Sequence, residues 1–395
     1  MNQQTFTLTN AIIVDPITNC EELGSLTVTD GHIDAVNGVS KGQEIDCEGM
    51  HLAPGIIDMG VKIHEPGERH KESFKSAGES AAAGGVTTIV ARPDTDPPID
   101  TPEILEFFQR RARVATKVRI LPMAAITKNL KGTEISEMAF LAERGAIAFT
   151  DAFHQISDVK IFFQALQYAS DLKALIIGHP QERSLSRNAA ATSGKIATLL
   201  GLPSVSPLAE KLGVERDLAI VEALNSKYHA DQITTAISLD CVRQAKEKGL
   251  QVTAGTSIHH IALNELDIAN YRTFFKFSPP LRPEKDRLAI IEGIVNGEID
   301  TISSFHSPQD EESKRLPFEL AASGAVGLET ILPACLRLVH HGYISLPKLF
   351  EHLSSNPAKI LQISGGTVDK GQPADLILFD INQPFRMNRF KLLSK

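Results

Sequence analysis

The chain has 395 residues, of which 42% are hydrophobic and 22% are charged, and its formal net charge is −8 at pH 7. This composition is typical of globular proteins and excludes disordered and fibrous chains. The acidic excess argues against nucleic acid or an anionic membrane as the main partner, so we expect small molecules or proteins instead. The length accommodates two or three domains, or one large α/β barrel with a small additional domain.

The cysteines and the first residues of the sequence are typical of a cytoplasmic protein. Four separated cysteines form no CxxC pair and are too few to crosslink a chain of this length, so we expect reduced thiols. The opening MNQQTFTLTN lacks the basic and apolar parts of a signal peptide, and no apolar run reaches the ~18 residues that cross a bilayer. We therefore predict a cytoplasmic location.

The pattern of apolar residues changes near Gly55. Before it, residues 4–53 contain short alternating runs that predict a small β-sheet unit. After it, strand-like apolar runs alternate with helix-length amphipathic segments, which indicates βαβ units around a buried parallel sheet. The runs are VTTIVA (86–91), VRILPMAAI (118–126), AIAFT (146–150), ALIIGH (174–179), QVTAGTS (251–257) and IDTISSFH (299–306).

The strand count approaches eight, which predicts an α/β protein with a TIM-type (β/α)8 barrel over residues 55–364. Near the end, GTVDKGQPADLILFDI returns to strand and turn residues. We therefore predict a small β-sandwich formed from both termini, residues 1–54 and 365–395.

Barrel enzymes place their reactive groups at the carboxyl ends of the strands, so the polar residues that close the apolar runs are the candidates for a site. Their clustering favours a present or former site at this end of the barrel. They are Asp58, Lys62, His64, Asp94, Asp151, His179, His229 to Gln232, His259, His260, Phe305 and His306.

A hydrolytic zinc site needs several imidazoles and carboxylates around one point, and barrels usually supply two of them from an HxH sequence. No HxH occurs in this chain. The corresponding position reads Gly60-Val61-Lys62, which offers no side chain and then an ammonium that repels a cation.

Five stretches of the sequence carry a family resemblance, namely PGIIDMGVKIHEPGERHKESFKSAGESAAAGGVTTIVARPDTDPPIDTPE, FKFSPPLRPEKDRLAIIEGI, GAVGLETILP, LSSNPAKIL and GQPADLILFD. With them the sequence closely resembles the dihydroorotases of the amidohydrolase superfamily, from about residue 5 to the end. This resemblance implies a metal-dependent barrel hydrolase fold flanked by a β-sandwich. Active relatives close the dihydroorotate ring from carbamoyl aspartate, with a metal-bound hydroxide as nucleophile in the reverse direction.

The resemblance assigns six metal-ligand positions, and this chain keeps two of them. Asp151 matches the bridging carboxylate and His179 matches the next metal histidine. The other four positions, which in the family hold three histidines and the aspartate that is also general acid/base, are Gly60, Lys62, Gln232 and Phe305. We expect zinc to bind weakly at best to such a remnant, so no functional catalytic residue and no cofactor are expected.

The residues that hold the substrate carboxylate in the family are also changed. Where relatives read DMHVHLREPG, this chain reads DMGVKIHEPG, which keeps Asp58 but replaces the arginine by His64. The asparagine of the family's MPNT segment is Asp94, which brings a negative charge toward an anionic substrate.

Two hypotheses explain the replacements as mutually compensating. The Lys62 ammonium would take over part of the metal's charge and pair with Asp151, which would otherwise be a buried carboxylate without a partner. Phe305 would project into the space beside Gly60 and fill the former cavity with apolar contacts.

These changes favour a non-catalytic dihydroorotase homologue in pyrimidine biosynthesis. Within the family, such degenerate members resemble the inactive dihydroorotase-like subunits that assemble the catalytic chains of aspartate carbamoyltransferase, which implies an oligomer with those chains. One alternative is an active cyclic amidohydrolase of the dihydroorotase, hydantoinase or allantoinase type, with zinc on the kept ligands and His64, His229 or His306 recruited. Another is a small-molecule sensor that uses the old pocket.

Other features of the sequence leave their roles open. Adjacent side chains diverge, so neither His259-His260 nor His340-His341 is expected to chelate a metal alone. The stretch 180–217 is a candidate assembly contact. The last residues, FRMNRFKLLSK, stop before the strands with which family members complete the sandwich, so the edge of an unfinished sheet is a candidate docking surface.

Overall fold

A computed structural model describes residues 4–384, 386–388 and 390–395. In these ranges the strands are β1 (Thr5–Asp15), β2 (Cys20–Thr29), β3 (His32–Val36), β4 (Gln43–Asp46), β5 (His51–Pro54), β6 (Ile56–Val61), β7 (Val86–Ala91), β8 (Arg119–Pro122), β9 (Ile176–Gly178), β10 (Ala191–Thr192), β11 (Ser204–Val205), β12 (Tyr228–Ala230), β13 (Val252–Ser257), β14 (Thr301–Ser303) and β15 (Leu376–Phe379).

The α-helices over the same ranges are α1 (Phe74–Ala83), α2 (Pro102–Ala115), α3 (Met138–Glu143), α4 (Val159–Asp171), α5 (Arg183–Ser186), α6 (Lys195–Leu200), α7 (Leu208–Leu224), α8 (Ala236–Glu247), α9 (Ile258–Ala262), α10 (Glu284–Val295), α11 (Glu311–Lys314), α12 (Ile331–His340), α13 (Leu346–Phe350) and α14 (Asn356–Leu361). Short 3₁₀ turns cover Lys128–Leu130, Glu265–Ile268, Thr273–Phe275 and Leu328–Thr330, and a π-helical turn covers Glu351–Ser355. None of the described helices is both long and apolar enough to cross a membrane.

Parallel strands with intervening helices form the centre of the molecule, which confirms the predicted α/β alternation. One sheet has the order β6-β7-β8 and another has the order β9-β12-β13-β14. Residues 147–150 lie between the two sheets and bridge them at Phe149, which pairs with Ala124 on one side and Ile176 on the other. On the far side, the Lys62 amide donates to the His306 carbonyl at 2.8 Å. The result is a TIM-type arrangement of eight strand positions in chain order.

The helices form where the sequence supplies capping residues at the ends of a segment and an apolar face along it. Helix α1 begins with a capping box between Ser73 and Ser76, and α2 begins with a proline in its first turn. Phe74 of α1 and Phe108 of α2 pack edge to face, with ring centroids 4.7 Å apart. These contacts hold the first two barrel helices against the strands, so the loops after β6 and β7 have a rigid base.

A further sheet, outside the barrel, combines strands from both ends of the chain. Its order is β15-β5-β1-β2-β3, with β4 paired to β1, and β15 runs antiparallel to β5. Its apolar side buries Ala11, Leu26, Ile33, Leu52 and Val368. The structure assigns one six-stranded sheet, so the β-sandwich and its boundaries at residues 54 and 365 stay predictions.

The end of the chain lies against the barrel. Phe385 and Arg389, which belong to the predicted unfinished edge, lie outside the described residues. Farther along, the Leu393 amide donates to Glu329 Oε1 at 2.9 Å, and the Ser394 hydroxyl donates to Glu72 Oε2 at 2.6 Å. Strand β15 is at one edge of its sheet, and its use as a docking surface stays a prediction.

A buried ion pair connects α7 to the segment before α10. Glu210 and Arg282 are each 2% exposed at the side chain, and Arg282 Nη2 lies 3.1 Å from Glu210 Oε2. The other guanidinium nitrogens donate to Thr234 and Thr192, and Glu210 Oε1 accepts from the Thr234 and Thr235 amides. Both charges are thus fully hydrogen-bonded, as a buried pair requires.

Arg282→Met is expected to lower the free energy of unfolding by about 3–5 kcal/mol, because it leaves the Glu210 carboxylate buried without its counter-charge. Urea unfolding measures the change. Glu222→Gln is the control, because it removes an exposed ion pair with Lys248 and is expected to cost less than about 1 kcal/mol. Equal midpoints for Arg282→Met and the unmodified protein would contradict the assignment.

Candidate functional site

The residues selected from the sequence lie at one end of the barrel, at or just after the carboxyl ends of its strands. Asp58 and Gly60 are in β6, and the others follow β6, β7, the 147–150 segment, β9, β12 and β14 in turn. Except for Lys62 and Asp94, which are partly buried, all of them are buried. They are Asp58, Gly60, Lys62, His64, Asp94, Asp151, His179, Gln232 and Phe305.

Phe305 packs on Gly60, as the sequence predicted. A methyl group built on Gly60 would lie 3.2 Å from the Phe305 ring and 3.2 Å from Ser303 Cβ. Phe305 is 4% exposed, and its φ of 47° turns the chain sharply after β14. Beside it, Asp58 Oδ1 accepts from the Gly60 and Ser304 amides at 3.1 and 3.0 Å. Asp58 thus joins the first barrel strand to the last, and an aromatic ring occupies the space next to Gly60.

Lys62 pairs with Asp94, so the predicted pairing with Asp151 is wrong. Lys62 Nζ lies 3.0 Å from Asp94 Oδ2, and Arg92 Nε lies 3.7 Å from Asp94 Oδ1. Burial raises the pKa of Asp94, but the charges of Lys62 and Arg92 outweigh burial, and the net shift is below the ordinary value of 3.8. The residue in the family's asparagine position is therefore a carboxylate held by two cations.

Asp151 is satisfied by its own neighbourhood instead. Its Oδ1 accepts from the Thr127 amide at 2.9 Å, and its Oδ2 accepts from the Thr127 hydroxyl. Burial raises the pKa of Asp151 to about 6, although these hydrogen bonds oppose the rise. The reason for the misprediction is that Thr127, in the loop after the neighbouring strand β8, supplies both donors to Asp151, which leaves Lys62 free for Asp94.

His179 lies beside Asp151 in a space that is almost closed. Both residues line a cavity of about 10 Å³, whereas one water needs roughly 10–15 Å³ of such volume. Burial, and then the charge of Arg92, lower the pKa of His179 to about 3. Its ring packs edge-on against Phe153, with centroids 5.4 Å apart. The two kept ligands are thus close together in a packed environment.

His64 cannot replace a substrate-binding arginine. Its Nδ1 lies 3.0 Å from Glu68 Oε2, and its side chain is 1% exposed. Burial, followed by the charge of Lys62, lowers the pKa of His64 to about 4, so the imidazole is neutral at pH 7. A neutral imidazole lacks the charge and the two-pronged donor geometry of a guanidinium.

The remaining histidines at this end have local partners. His229 Nδ1 lies 2.8 Å from the Thr253 hydroxyl, and His306 Nε2 lies 3.0 Å from Glu72 Oε2. His259 stacks on Phe277, with ring centroids 4.4 Å apart.

The two histidine pairs do not form a metal site. His260 contacts Ser257 Oγ and the Pro280 carbonyl, at 3.0 and 3.3 Å, and so diverges from its neighbour His259. His340 and His341 are exposed at the end of α12.

The donor set does not fit a zinc ion. Among the described residues, no group of three or more His, Cys, Asp or Glu side chains could hold a metal. Protein zinc sites use three or four such ligands. Of the six positions that hold metal ligands in the family, two keep a ligand residue in this chain, Asp151 and His179. Lys62 places a positive charge among these positions.

Arg92 is a site residue that the sequence reasoning missed, whereas Asp231 lies within the predicted segment His229 to Gln232. The Arg92 guanidinium carbon lies 3.6 Å from the Phe153 ring centroid, and its Nη1 and Nη2 have no hydrogen-bond partner in the described ranges. Burial raises the pKa of Asp231 to about 7, although the charge of Arg92 lowers it. The sequence did contain a signal for Arg92, because this arginine directly follows the apolar run VTTIVA. A charged residue at the end of a barrel strand faces either the site or solvent.

A small polar cavity opens above His179, and we call it the mouth cavity. Its volume is about 80 Å³, against roughly 300–1,000 Å³ for the pockets that hold typical small-molecule ligands. The mouth cavity is lined by Phe153, His154, Gln155, His179, Gln181, Arg183, Ser186, Ala189, Val205, Ser278 and Pro280.

The strand order and the position of the site define the chain as a TIM-type α/β barrel whose candidate site lies at the carboxyl ends of the strands. The fold is similar to that of the L-hydantoinase (dihydropyrimidinase) from Arthrobacter aurescens, with a TM-score of 0.89 and 24% sequence identity over 98% of this chain and 89% of that one. At this level of identity, the similarity establishes the fold alone.

Sequence comparison then identifies the family. Residues 49–238 match the family of dihydro-orotase-like proteins. A dihydroorotase from Ehrlichia canis is 38% identical over 395 residues, which cover 98% of this chain and 88% of the relative. A dihydroorotase-like protein from Pseudomonas putida is 34% identical over 380 residues, which cover 95% and 90%. The chain belongs to the dihydroorotase family.

Lys62→Met is expected to lower the free energy of unfolding at pH 7 by about 3 kcal/mol, the low end for an orphaned buried charge, because Arg92 still faces Asp94. The folded-state pKa of Asp94 lies below its ordinary value of 3.8. The ion pair therefore contributes its full share of the free energy of unfolding above pH 3.8. This share is lost as the pH falls through the folded-state pKa. Urea unfolding at pH 7 and pH 3 measures both effects.

The matched control for Lys62→Met is the double variant Lys62→Met/Asp94→Asn. If Lys62 and Asp94 interact, the loss of unfolding free energy in the double variant is expected to be smaller than the sum of the losses in Lys62→Met and Asp94→Asn. Arg92 loses its carboxylate in both Asp94 variants, so this loss cancels in the comparison. A double variant with the summed losses of the two single variants would show that the residues do not interact.

Phe305→Ala is expected to cost about 3–5 kcal/mol of unfolding free energy, because it opens a cavity between Phe305 and Gly60 in the packed end of the barrel. Chemical denaturation measures the loss. Phe274→Ala is the control, since that ring is 63% exposed and its truncation is expected to change stability by less than about 0.5 kcal/mol. Equal effects of the two substitutions would rule out the packing role of Phe305.

Proposed function

We propose that this chain is a non-catalytic member of the dihydroorotase family, and that it serves as a structural, assembly subunit for aspartate carbamoyltransferase in pyrimidine biosynthesis. The first part of the proposal, that the chain is non-catalytic, is supported by the packing of Phe305 on Gly60, beside the Lys62–Asp94 ion pair. An apolar ring and an ammonium stand where the family places metal ligands.

The residues at the family's catalytic positions are not suited to the chemistry of ring opening. Hydrolysis of a cyclic amide needs an activated water and a group that passes the proton to the leaving nitrogen. The position of the family's general acid/base is Phe305, which has no titratable atom. The kept pair, Asp151 and His179, lines a cavity of about 10 Å³, which is about the size of one water.

Binding of an anionic substrate is also opposed. Asp94 presents a carboxylate where the family has a neutral amide, and both of its oxygens face cations of this chain. His64 is neutral and tied to Glu68. A dicarboxylate would therefore have to displace an internal ion pair and would meet no arginine in return.

The assembly half of the proposal is supported by a retained fold with exposed apolar residues. In the stretch 180–217, which the sequence singled out as a candidate contact, four leucines on α5, α6 and α7 are 40–70% exposed: Leu185, Leu199, Leu208 and Leu212. Exposed apolar side chains gathered on one stretch are typical of a surface that another protein covers.

The test is to express the chain with the aspartate carbamoyltransferase catalytic chain of the same organism, and to measure the mass of the purified species by light scattering. We expect a joint complex, zinc far below one equivalent per chain, and no turnover of dihydroorotate. Leu199→Glu combined with Leu208→Glu is expected to release the partner, because it places charge in an apolar contact.

Val114→Glu on α2 is the matched control, since that side chain is 80% exposed but lies outside the stretch 180–217, and the complex is expected to persist. Stoichiometric zinc together with dihydroorotate turnover would overturn the proposal and establish the alternative, an active cyclic amidohydrolase. That alternative draws its support from relatives named dihydroorotase and from the kept Asp151 and His179. Separate elution of the two chains would overturn the assembly half alone.

A further inference from the structure

The mouth cavity contains two buried side chains whose polar atoms find no hydrogen-bond partner in the described part of the chain. They are Gln155 Nε2 and His179 Nδ1, and each residue is 7% exposed. Buried polar groups in folded proteins are nearly always paired, and an unpaired one costs about 1–3 kcal/mol. Two such atoms on the wall of one cavity therefore mark a place where a polar ligand would be stabilised.

The orientation of Gln155 is set by the backbone. Its Oε1 accepts a hydrogen bond from the Arg183 amide at 3.0 Å, at the beginning of α5. Because the carbonyl side of the amide is occupied, the NH₂ group is the part left to serve a ligand. A donor fixed in this way favours a ligand that accepts hydrogen bonds.

Among the described residues that line the mouth cavity, the one permanently charged side chain is positive, whereas the Asp94 and Glu210 carboxylates act on its histidines from outside the lining. Arg183 lines its entrance, and Arg92 lies directly behind Phe153 with both Nη atoms unpaired among the described residues. No aspartate or glutamate is among the described residues that line the cavity. Cations beside a partly enclosed, carboxylate-free space attract anions and repel metal ions.

We propose that the mouth cavity binds a small oxyanion, either free phosphate or the carboxylate of a small organic acid, through Gln155 Nε2 and the Arg183 guanidinium. Its volume of about 80 Å³ suits a group of a few heavy atoms, since one water needs roughly 10–15 Å³ of such volume. The mouth cavity is lined in part by the stretch 180–217 that is proposed above for assembly. The test below uses the chain without a partner, so its failure is distinguishable from failure of the assembly proposal.

Isothermal titration calorimetry of the full chain with inorganic phosphate, and separately with acetate, tests the proposal in a chloride buffer at constant ionic strength. We expect one site per chain for at least one of the two anions, together with a rise in melting temperature. Arg183→Gln removes a charge-assisted hydrogen bond and is expected to weaken binding about tenfold or more. Gln155→Leu removes the buried donor and is expected to have a similar effect.

Arg187→Gln is the matched control, because Arg187 is exposed just after α5 but does not line the mouth cavity. The affinity of this variant for the anion is expected to equal that of the unmodified protein. Arg183 is itself exposed, so its substitution leaves the fold intact and the result remains interpretable if Gln155→Leu does not fold. Absence of binding by both anions at millimolar concentration would overturn the proposal. So would equal weakening by Arg183→Gln and Arg187→Gln.

Discussion

The contact between Lys62, Asp94 and Arg92 determines the character of the whole site. A metal centre gathers carboxylates and imidazoles around a cation that arrives from solution, whereas here the cations are side chains of the protein itself. Their charge stabilises Asp94 in its ionised form, and the charge of Lys62 adds to burial in keeping His64 neutral. The counter-charge of Asp94 is thus supplied by the protein itself, and the aromatic ring of Phe305 fills the space beside Gly60.

The retention of Asp151 and His179 has a structural explanation in the same terms. Asp151 binds the amide and hydroxyl of Thr127, so it holds the loop after β8 in place. His179 packs against Phe153, whose other contact is the Arg92 guanidinium. Both residues therefore stabilise loops at the barrel end, and their presence alone does not indicate a working metal site.

Much of the fold and part of the site could be predicted from the sequence. Apolar periodicity located six of the eight strand positions to within a few residues. The resemblance to the dihydroorotases placed Gly60 and Phe305 at ligand positions around one metal, which predicted their contact. The partner of Lys62 could not be predicted, because a flexible four-carbon side chain reaches several carboxylates. The roles of Arg92 and Gln155 depend on which way a residue at a strand end points, and local backbone geometry decides that.

The pairing of β5 with β15 has a consequence for synthesis of the chain on the ribosome. Residues 51–54 are made early, but the strand that covers their free edge, residues 376–379, is made only after the entire barrel. At about 5–20 residues per second, that delay is on the order of tens of seconds. During this time the edge of β5 is open to pairing with other nascent chains, and no folding of the barrel shortens the interval, because synthesis of β15 sets it.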